Sequence, residues 1–491
     1  MSELKYGTDR FMIIYGAYEG TEKRAAELIY ETVSRYVKYT LIVCAADTAQ
    51  DSDLREHNLI LVGTAESNKI LGQLLKKKLY KPCERAEGYS IKTAKSVYNP
   101  EKQMIIIAGK DERGVLYGAV DFKAVFLPFA ENTHFHGGYF KNPFEDGLPS
   151  YERADAPLIK QRGFWTWGHV IYDYKRYIEN MARLKLNTLI VWNDYVPVNI
   201  REVIDFAHSW GICVILGYSW GWDNARWDSS CGNFDLTEPG YVEQLENSII
   251  EKYNDEHSEL GIDGIYFQSF TETKEECRSG LLIADAVTQL VNRVSSRLLS
   301  EEPDIKLYFG LHATSVSNRL EYIKKTDERV TILWEDCGAF PYSYVPSETE
   351  GFDDTCKLTC KIVQLRGEND RTGAVLKGLT CLDWPSFENQ QGSFLMGCHS
   401  KEFIRQRSAE KEHLWKYLEA YWLQNAKYAV KMIRLIAEKN KDAMITGLAE
   451  DGMLEEKMWF PLVLFSEMLW DGKSSPEELM CRAVLRSDTE F

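Results

Sequence analysis

From Gln161 onward, short apolar runs alternate with amphipathic segments at helical spacing, and the alternation holds for roughly 240 residues, the size of one eight-stranded α/β barrel. QRGFWTW (161–167), TLIVWND (188–194), CVILGYSWGW (213–222), GIDGIYFQSF (261–270), IKLYFGLH (305–312) and VTILWED (330–336) read as the first six strands. Helices follow as YKRYIENMARLKLN (174–187), IREVIDFAHSWG (200–211), YVEQLENSIIEKY (241–253), LLIADAVTQLVNRVSSRLL (281–299) and NRLEYIKK (318–325). Apolar runs this continuous suit strands buried on both faces, as parallel strands are. VLKGLTCLDW (375–384) is a seventh strand, the stretch 345–371 carries no regular pattern, and no eighth strand is evident.

At 491 residues the chain is too long for a single ordinary core. Before the barrel, FMIIYG, YTLIVCAA, NLILVGT, EGYSIKTA and QMIIIAGK read as strands among helices, a small α/β layer domain over 1–130. Gly16 and Gly20 after its first strand have neither GxGxxG spacing nor the lysine of a P-loop, which argues against nucleotide binding. Residues 131–157 are rich in Gly, Pro, Asn and Asp and read as a linker. The barrel is expected over 158–400, and 401–491 reads as a helical region opened by a long amphipathic segment. The expected class is therefore α/β: a (β/α)8 TIM-type barrel preceded by a small α/β domain and followed by C-terminal helices.

A net charge of −16 excludes a phosphate backbone or anionic membrane as the natural partner, because both would be repelled. No apolar run is long enough to span a bilayer, and MSELKYGTDR lacks the apolar core of a signal peptide. Eleven cysteines without metal-ligand spacing read as reduced thiols, pointing to a cytoplasmic protein. His134 and His136 have no third ligand in view, so neither a metal nor another cofactor is expected. The sequence leaves room for a homo-oligomer.

The strand ends share a chemistry. Trp165 and Trp167 end the first, Trp192 with Asn193 and Asp194 the second, and Trp220 and Trp222 the third. Trp334 with Glu335 and Asp336 ends the sixth, and Asp383 with Trp384 the seventh. A sugar has apolar C–H faces and a rim of hydroxyls, so flat aromatic surface beside acceptors suits it, and an oligosaccharide or glycoside is the expected substrate. The fourth strand closes on Gln268, Ser269, Thr271 and Glu272, a polar cluster where barrel enzymes carry their chemistry.

Glycosidic cleavage needs two carboxyl groups, one protonated and one ionised. Glu272 is the expected acid, since aromatic rings from strand one would raise its pKa by desolvation. The second comes from Glu335 or Asp336 on strand six or from Asp383 on strand seven, with Glu388 also in range. Strand alternation favours Asp336, in phase with Ile332 and Trp334. The carboxyl separation, and with it retention or inversion, stays open.

DERGVLYG, QRGFWTW, YKRYIENMARLKLNTLIVWND, IREVIDFAHSWGICVI and GIDGIYFQSFTE resemble the two-domain framework of family 20 hexosaminidases and family 67 α-glucuronidases over residues 10–340. The resemblance implies a small α/β domain before a (β/α)8 catalytic barrel. It implies that Arg162 binds the terminal sugar and that Glu272 is the general acid. The Asp that precedes this Glu in family 20 and orients the acetamido nucleophile is Thr271 here, so an enzyme-supplied base or nucleophile is needed. Family 67 enzymes resemble this arrangement in pairing a strand-four Glu with acids on later strands. For a uronic acid, Arg162 and Arg226 are available cations. The expectation is an exo-acting glycoside hydrolase: Arg162, Gln268 and Asp194 hold the sugar's polar groups, and Trp165, Trp192, Trp220, Trp334 and Trp384 form its walls. The alternatives are an N-acetylhexosaminidase-like enzyme and a non-catalytic carbohydrate-binding protein on the same barrel.

Overall fold

The computed structural model describes residues 10–132, 142–167, 171–192, 195–221, 238–269, 276–278, 280–312, 318–335, 351–368, 370–380 and 392–488. The chain forms two compact units, Met1–Pro157 with Ser209–Gly211, and Leu158–His208 with Ile212–Phe491.

The first unit is built on strands β1 (Phe11–Tyr15), β2 (Ile42–Ala45), β3 (Asn58–Thr64), β4 (Tyr89–Lys95), β5 (Gln103–Gly109) and β6 (Glu152–Asp155), in the order β2-β1-β3-β5-β4-β6. The first three and β5 run parallel, and the Ile, Leu and Val runs of β1, β3 and β5 are buried on both faces, whereas β2 leaves Ile42 and Val43 exposed. Polar side chains cap several of the helices. Buried Asn68 accepts from the Ile70 and Leu71 amides and donates to the Ile14 and Val62 carbonyls, tying the Lys69–Lys76 helix to two strands. The expected linker is shorter than 131–157, because its last residues form β6, paired antiparallel with β4 from Tyr89↔Asp155 to Lys92↔Glu152. Four residues with charged ends carry no apolar run, so only the pairing reveals this strand.

The second unit is a closed parallel barrel of β7 (Gln161–Trp167), β8 (Thr188–Trp192), β9 (Cys213–Gly217), β10 (Gly264–Phe267), β13 (Lys306–His312), β14 (Val330–Glu335), β15 (Thr372–Leu379) and β16 (Met444–Ala449). A two-stranded ribbon, β11 (Cys277–Arg278) and β12 (Leu281–Leu282), lies between β10 and β13 in the chain. The seventh strand begins at Thr372, earlier than expected, and the stretch read as irregular contains the Phe352–Val363 helix. The eighth strand, MITGLA, lies inside the region read as purely helical, so the barrel does not end at residue 400. Lys401–Lys439 is the crossover helix between strands seven and eight. After β16, the Phe460–Trp470 helix is buried at all eleven positions, which explains its apolar character on every side.

Candidate functional site

Inner and outer faces alternate along each strand. Trp165, Ile190, Trp192, Tyr266, Leu333 and Val375 pack together in the barrel interior. Tyr266 sits among them, with its ring centroid 5.7 Å from Trp165 and 5.4 Å from Trp192. Two glycines make this possible. A Cβ on Gly217 would lie 2.6 Å from the Trp192 ring, and one on Gly310 would lie 2.1 Å from the Tyr266 hydroxyl.

Toward the C-terminal strand ends the interior turns polar. The Tyr266 hydroxyl and Gln268 Nε2 both donate to Glu335 Oε1, and Lys377 Nζ lies 2.6 Å from Glu335 Oε2. Glu335 is 1% exposed and Lys377 6%. Burial pushes the Glu335 carboxyl up, but the Lys377 ammonium, His312 and the Tyr266 hydroxyl outweigh it and hold the pKa below the usual carboxylate value. Glu335 is thus an ionised, triply held carboxylate at the end of strand six, with the ammonium of Lys377 also 5.4 Å from the Trp165 ring centroid.

This placement corrects the strand-six phase. Leu333 and Glu335 face the interior, so Trp334 faces outward and is buried as packing. Counting alternation from Trp334 as an inward residue put the whole strand one residue out of phase. Trp220 is corrected in the same sense. Its ring stacks on Phe267 at 3.5 Å and 4°, and Phe267 alternates with inward Tyr266, so this stack covers the outer side of the strands. Arg162 does not reach the barrel mouth either. It lies at the N-terminal end of β7, its Nη1 donates to the Ile159 and Lys160 carbonyls, and its guanidinium sits 5.2 Å from the Trp470 ring centroid. Trp165 and Trp192 point into the barrel interior, where they are almost fully buried. Glu272, Asp336, Asp383, Glu388, Asn193, Asp194, Trp222, Trp384, Arg226, His134, His136 and the side chain of Trp167 lie outside the described residues.

A second polar cluster was not anticipated. Just past β16, Glu450 accepts from Thr380 Oγ1 at 2.8 Å and meets Lys411 Nζ at 3.1 Å. Asp451 pairs with the same ammonium and accepts from the Tyr172 hydroxyl, and its pKa is held down against the cost of burial. Its neighbour Glu455 accepts from the Tyr172 and Leu454 amides, yet desolvation, helped by the Asp451 charge, pushes its pKa up to about 8. The signal in sequence for this cluster was an acidic pair directly after an apolar run (GLAED), as a lysine inside an apolar strand (VLKGL) was for Lys377 in the first. Among the described residues no group of three or more His, Cys, Asp or Glu is placed to hold a metal ion, and no helix is long and apolar enough to cross a membrane.

The raised Glu455 value has a definite sign. Against about 4.3 in an unfolded chain, its contribution is fully present at acid pH and is lost as pH rises through the folded value. Glu455→Gln is therefore expected to match wild type near pH 4 and to exceed its stability by a few kcal/mol near pH 9. Urea midpoints across that range check this, and a constant difference between the two proteins would refute it.

Comparison with known proteins adds to this geometry. Residues 12–122 match the family described as the glycosyl hydrolase family 67 N-terminus. No curated protein matches the chain by sequence. Among solved structures, a family 115 4-O-methyl-α-glucuronidase with specificity for decorated arabinogalactans is similar at TM-score 0.52 and 14% identity, covering 94% of this chain. The chain spans 56% of that protein's length. A mutant β-hexosaminidase from Streptomyces plicatus in complex with its product GlcNAc has TM-score 0.51 and 10% identity over 96% of this chain and 89% of its own. An inactive mutant of a family 20 exo-β-N-acetylglucosaminidase from Vibrio harveyi has TM-score 0.50 and 10% identity over 98% and 73%. At such identities the likeness is one of fold: a parallel eight-stranded barrel preceded in sequence by a small α/β domain.

Proposed function

We propose that this chain is an exo-acting glycoside hydrolase that cleaves a terminal sugar with two carboxyl groups. The observation that carries the reading is Glu335, an ionised carboxylate on the inner face at the C-terminal end of strand six, in a barrel lined by Trp165 and Trp192. The family 67 match of the N-terminal domain and the glycosidase barrels of similar fold support the same class. In this reading Glu272 gives its proton to the glycosidic oxygen as the C–O bond breaks and the alcohol leaves. Glu335 is the ionised partner, either taking a proton from the attacking water or attacking the anomeric carbon itself. Its charge is set by Lys377 before substrate arrives, so little reorganisation is needed as positive charge develops on the sugar.

Thr271, standing where an acetamido-orienting Asp would be, favours a sugar without substrate assistance, and the family 115 α-glucuronidase of similar fold favours a uronide. The second reading, an N-acetylhexosaminidase-like enzyme, draws on the two hexosaminidase structures. A carbohydrate-binding protein without turnover is the third, in which the Glu335–Lys377 pair serves packing alone.

The deciding experiment is hydrolysis of a panel of aryl glycosides, uronides and N-acetylhexosaminides by wild type and Glu272→Gln. Release from one class, falling by about 10²-fold or more in the variant, is expected, an aryl leaving group only partly hiding loss of the acid. Sugars that bind by calorimetry while the whole panel stays uncleaved would overturn the enzyme reading in favour of the binder.

A further inference from the structure

We propose that Lys377 is a positioning residue for the reaction: its ammonium, buried on the inner face of β15, holds Glu335 charged and aimed, so that losing it displaces the acid limb of the pH–rate profile. The inference rests on the reading that Glu335 works in turnover.

The local structure explains how a lysine comes to be there. All eight residues of β15 are buried, and lysine is almost never buried unless it is paired. The β15–β16 register shifts between Leu376 and Leu379, an irregularity that brackets Lys377. Bulges of this kind re-aim a side chain and are common beside active sites. On the other side, Trp422 of the Lys401–Lys439 helix donates its indole N–H to the Gly378 carbonyl at 2.8 Å, which pins this irregular stretch of β15. The result is an ammonium 2.6 Å from Glu335 Oε2, opposite the two donors on Oε1.

Among the described residues, four groups besides solvent bear on Glu335. Facing it are Lys377 from β15, His312 from β13, and Tyr266 and Gln268 from β10. Tyr266 and Gln268 are neutral, and His312 carries charge only when protonated, so Lys377 is the one permanent cation among these groups. Stability alone does not account for the pair. Replacing a buried ion pair by packed apolar groups is often neutral or favourable. A cation that sets the charge of a carboxylate at a barrel's catalytic end has a use that an apolar side chain could not fill.

The test compares wild type, Lys377→Met and Lys377→Arg. On the substrate found with the panel, the acid limb of kcat/KM is expected to move up by about one pH unit or more in K377M, the scale of a nearby opposite charge, and to stay in place in K377R. Glu335 is also read without turnover, as the carboxylate infrared band lost in Glu335→Gln. In wild type that band should titrate below the ordinary range near about 4.3, and in K377M well above it. If no substrate is cleaved, the infrared titration decides by itself, which separates failure of this inference from failure of the proposed activity. A folded K377M with an unmoved limb and an unmoved band overturns the proposal. Should K377M not fold, a wild-type midpoint at or above the ordinary range does so alone.

Discussion

Glu335→Gln is expected to lower kcat/KM by about 10²–10⁴-fold on the substrate that wild type cleaves, the usual effect of removing a positioned acid–base group. The amide keeps the size of the side chain, and its carbonyl can still accept from the Tyr266 hydroxyl, so the interior around Trp165 and Trp192 stays filled. What it removes is the negative charge, leaving the Lys377 ammonium buried without its carboxylate. That costs stability as well as rate. The two effects separate in the double variant E335Q/K377M, where both charges of the pair are removed: stability should recover substantially, whereas turnover should not. Thermal denaturation beside steady-state kinetics on the three proteins checks both. A double variant with near wild-type turnover would remove Glu335 from the mechanism.

The largest expected loss of stability lies at the opposite end of the same strands. The side chains of Arg366 and Asp370 are each 5% exposed and form an ion pair at 2.8 Å. The guanidinium also donates to the carbonyls of Thr326, Asp327, Val330 and Arg371. Those carbonyls lie at the chain's entry into β14 and β15, so a single side chain ties together the N-terminal ends of the two strands that carry Glu335 and Lys377. Arg366→Ala would strand a buried carboxylate and several carbonyls, and is expected to cost about 3–5 kcal/mol. Arg366→Lys should recover only part of this, because an ammonium cannot reproduce the planar fork of donors. Urea midpoints with an unchanged m-value are the measurement. A loss under about 1 kcal/mol would mean that water replaces these bonds, as it does for exposed pairs.

The distribution of legible and illegible features follows from the physics of each signal. The six leading barrel strands and their helices were readable because each is a periodic apolar run, and burial on both faces imposes such a run whatever the partners are. β6 and β16 were not. ERAD is too short and charged, and MITGLA too short and too interrupted by Thr and Gly, to stand out beside 39 residues of amphipathic helix. Both are strands because a neighbour offers a free edge, β4 for one and β15 with β7 for the other.

The same division runs through the candidate site. Sequence by itself determined the class of fold, the direction in which to look for chemistry, and the residue types gathered there: tryptophans and acids at strand ends. It could not determine which of two adjacent residues looks inward, since a shift of one position inverts every side chain on a strand. Closure of the barrel settled that, turning Glu335 in and Trp334 out, and sending Trp220 and Arg162 to packing positions. Nor could it pair Glu335 with Lys377, 42 positions later, because electrostatic partners carry no local periodicity. Only the closed sheet, with Glu335 registered opposite Val375 on the adjacent strand, brings the two charges within 2.6 Å and makes an ionised carboxylate stable in an interior that would otherwise neutralise it.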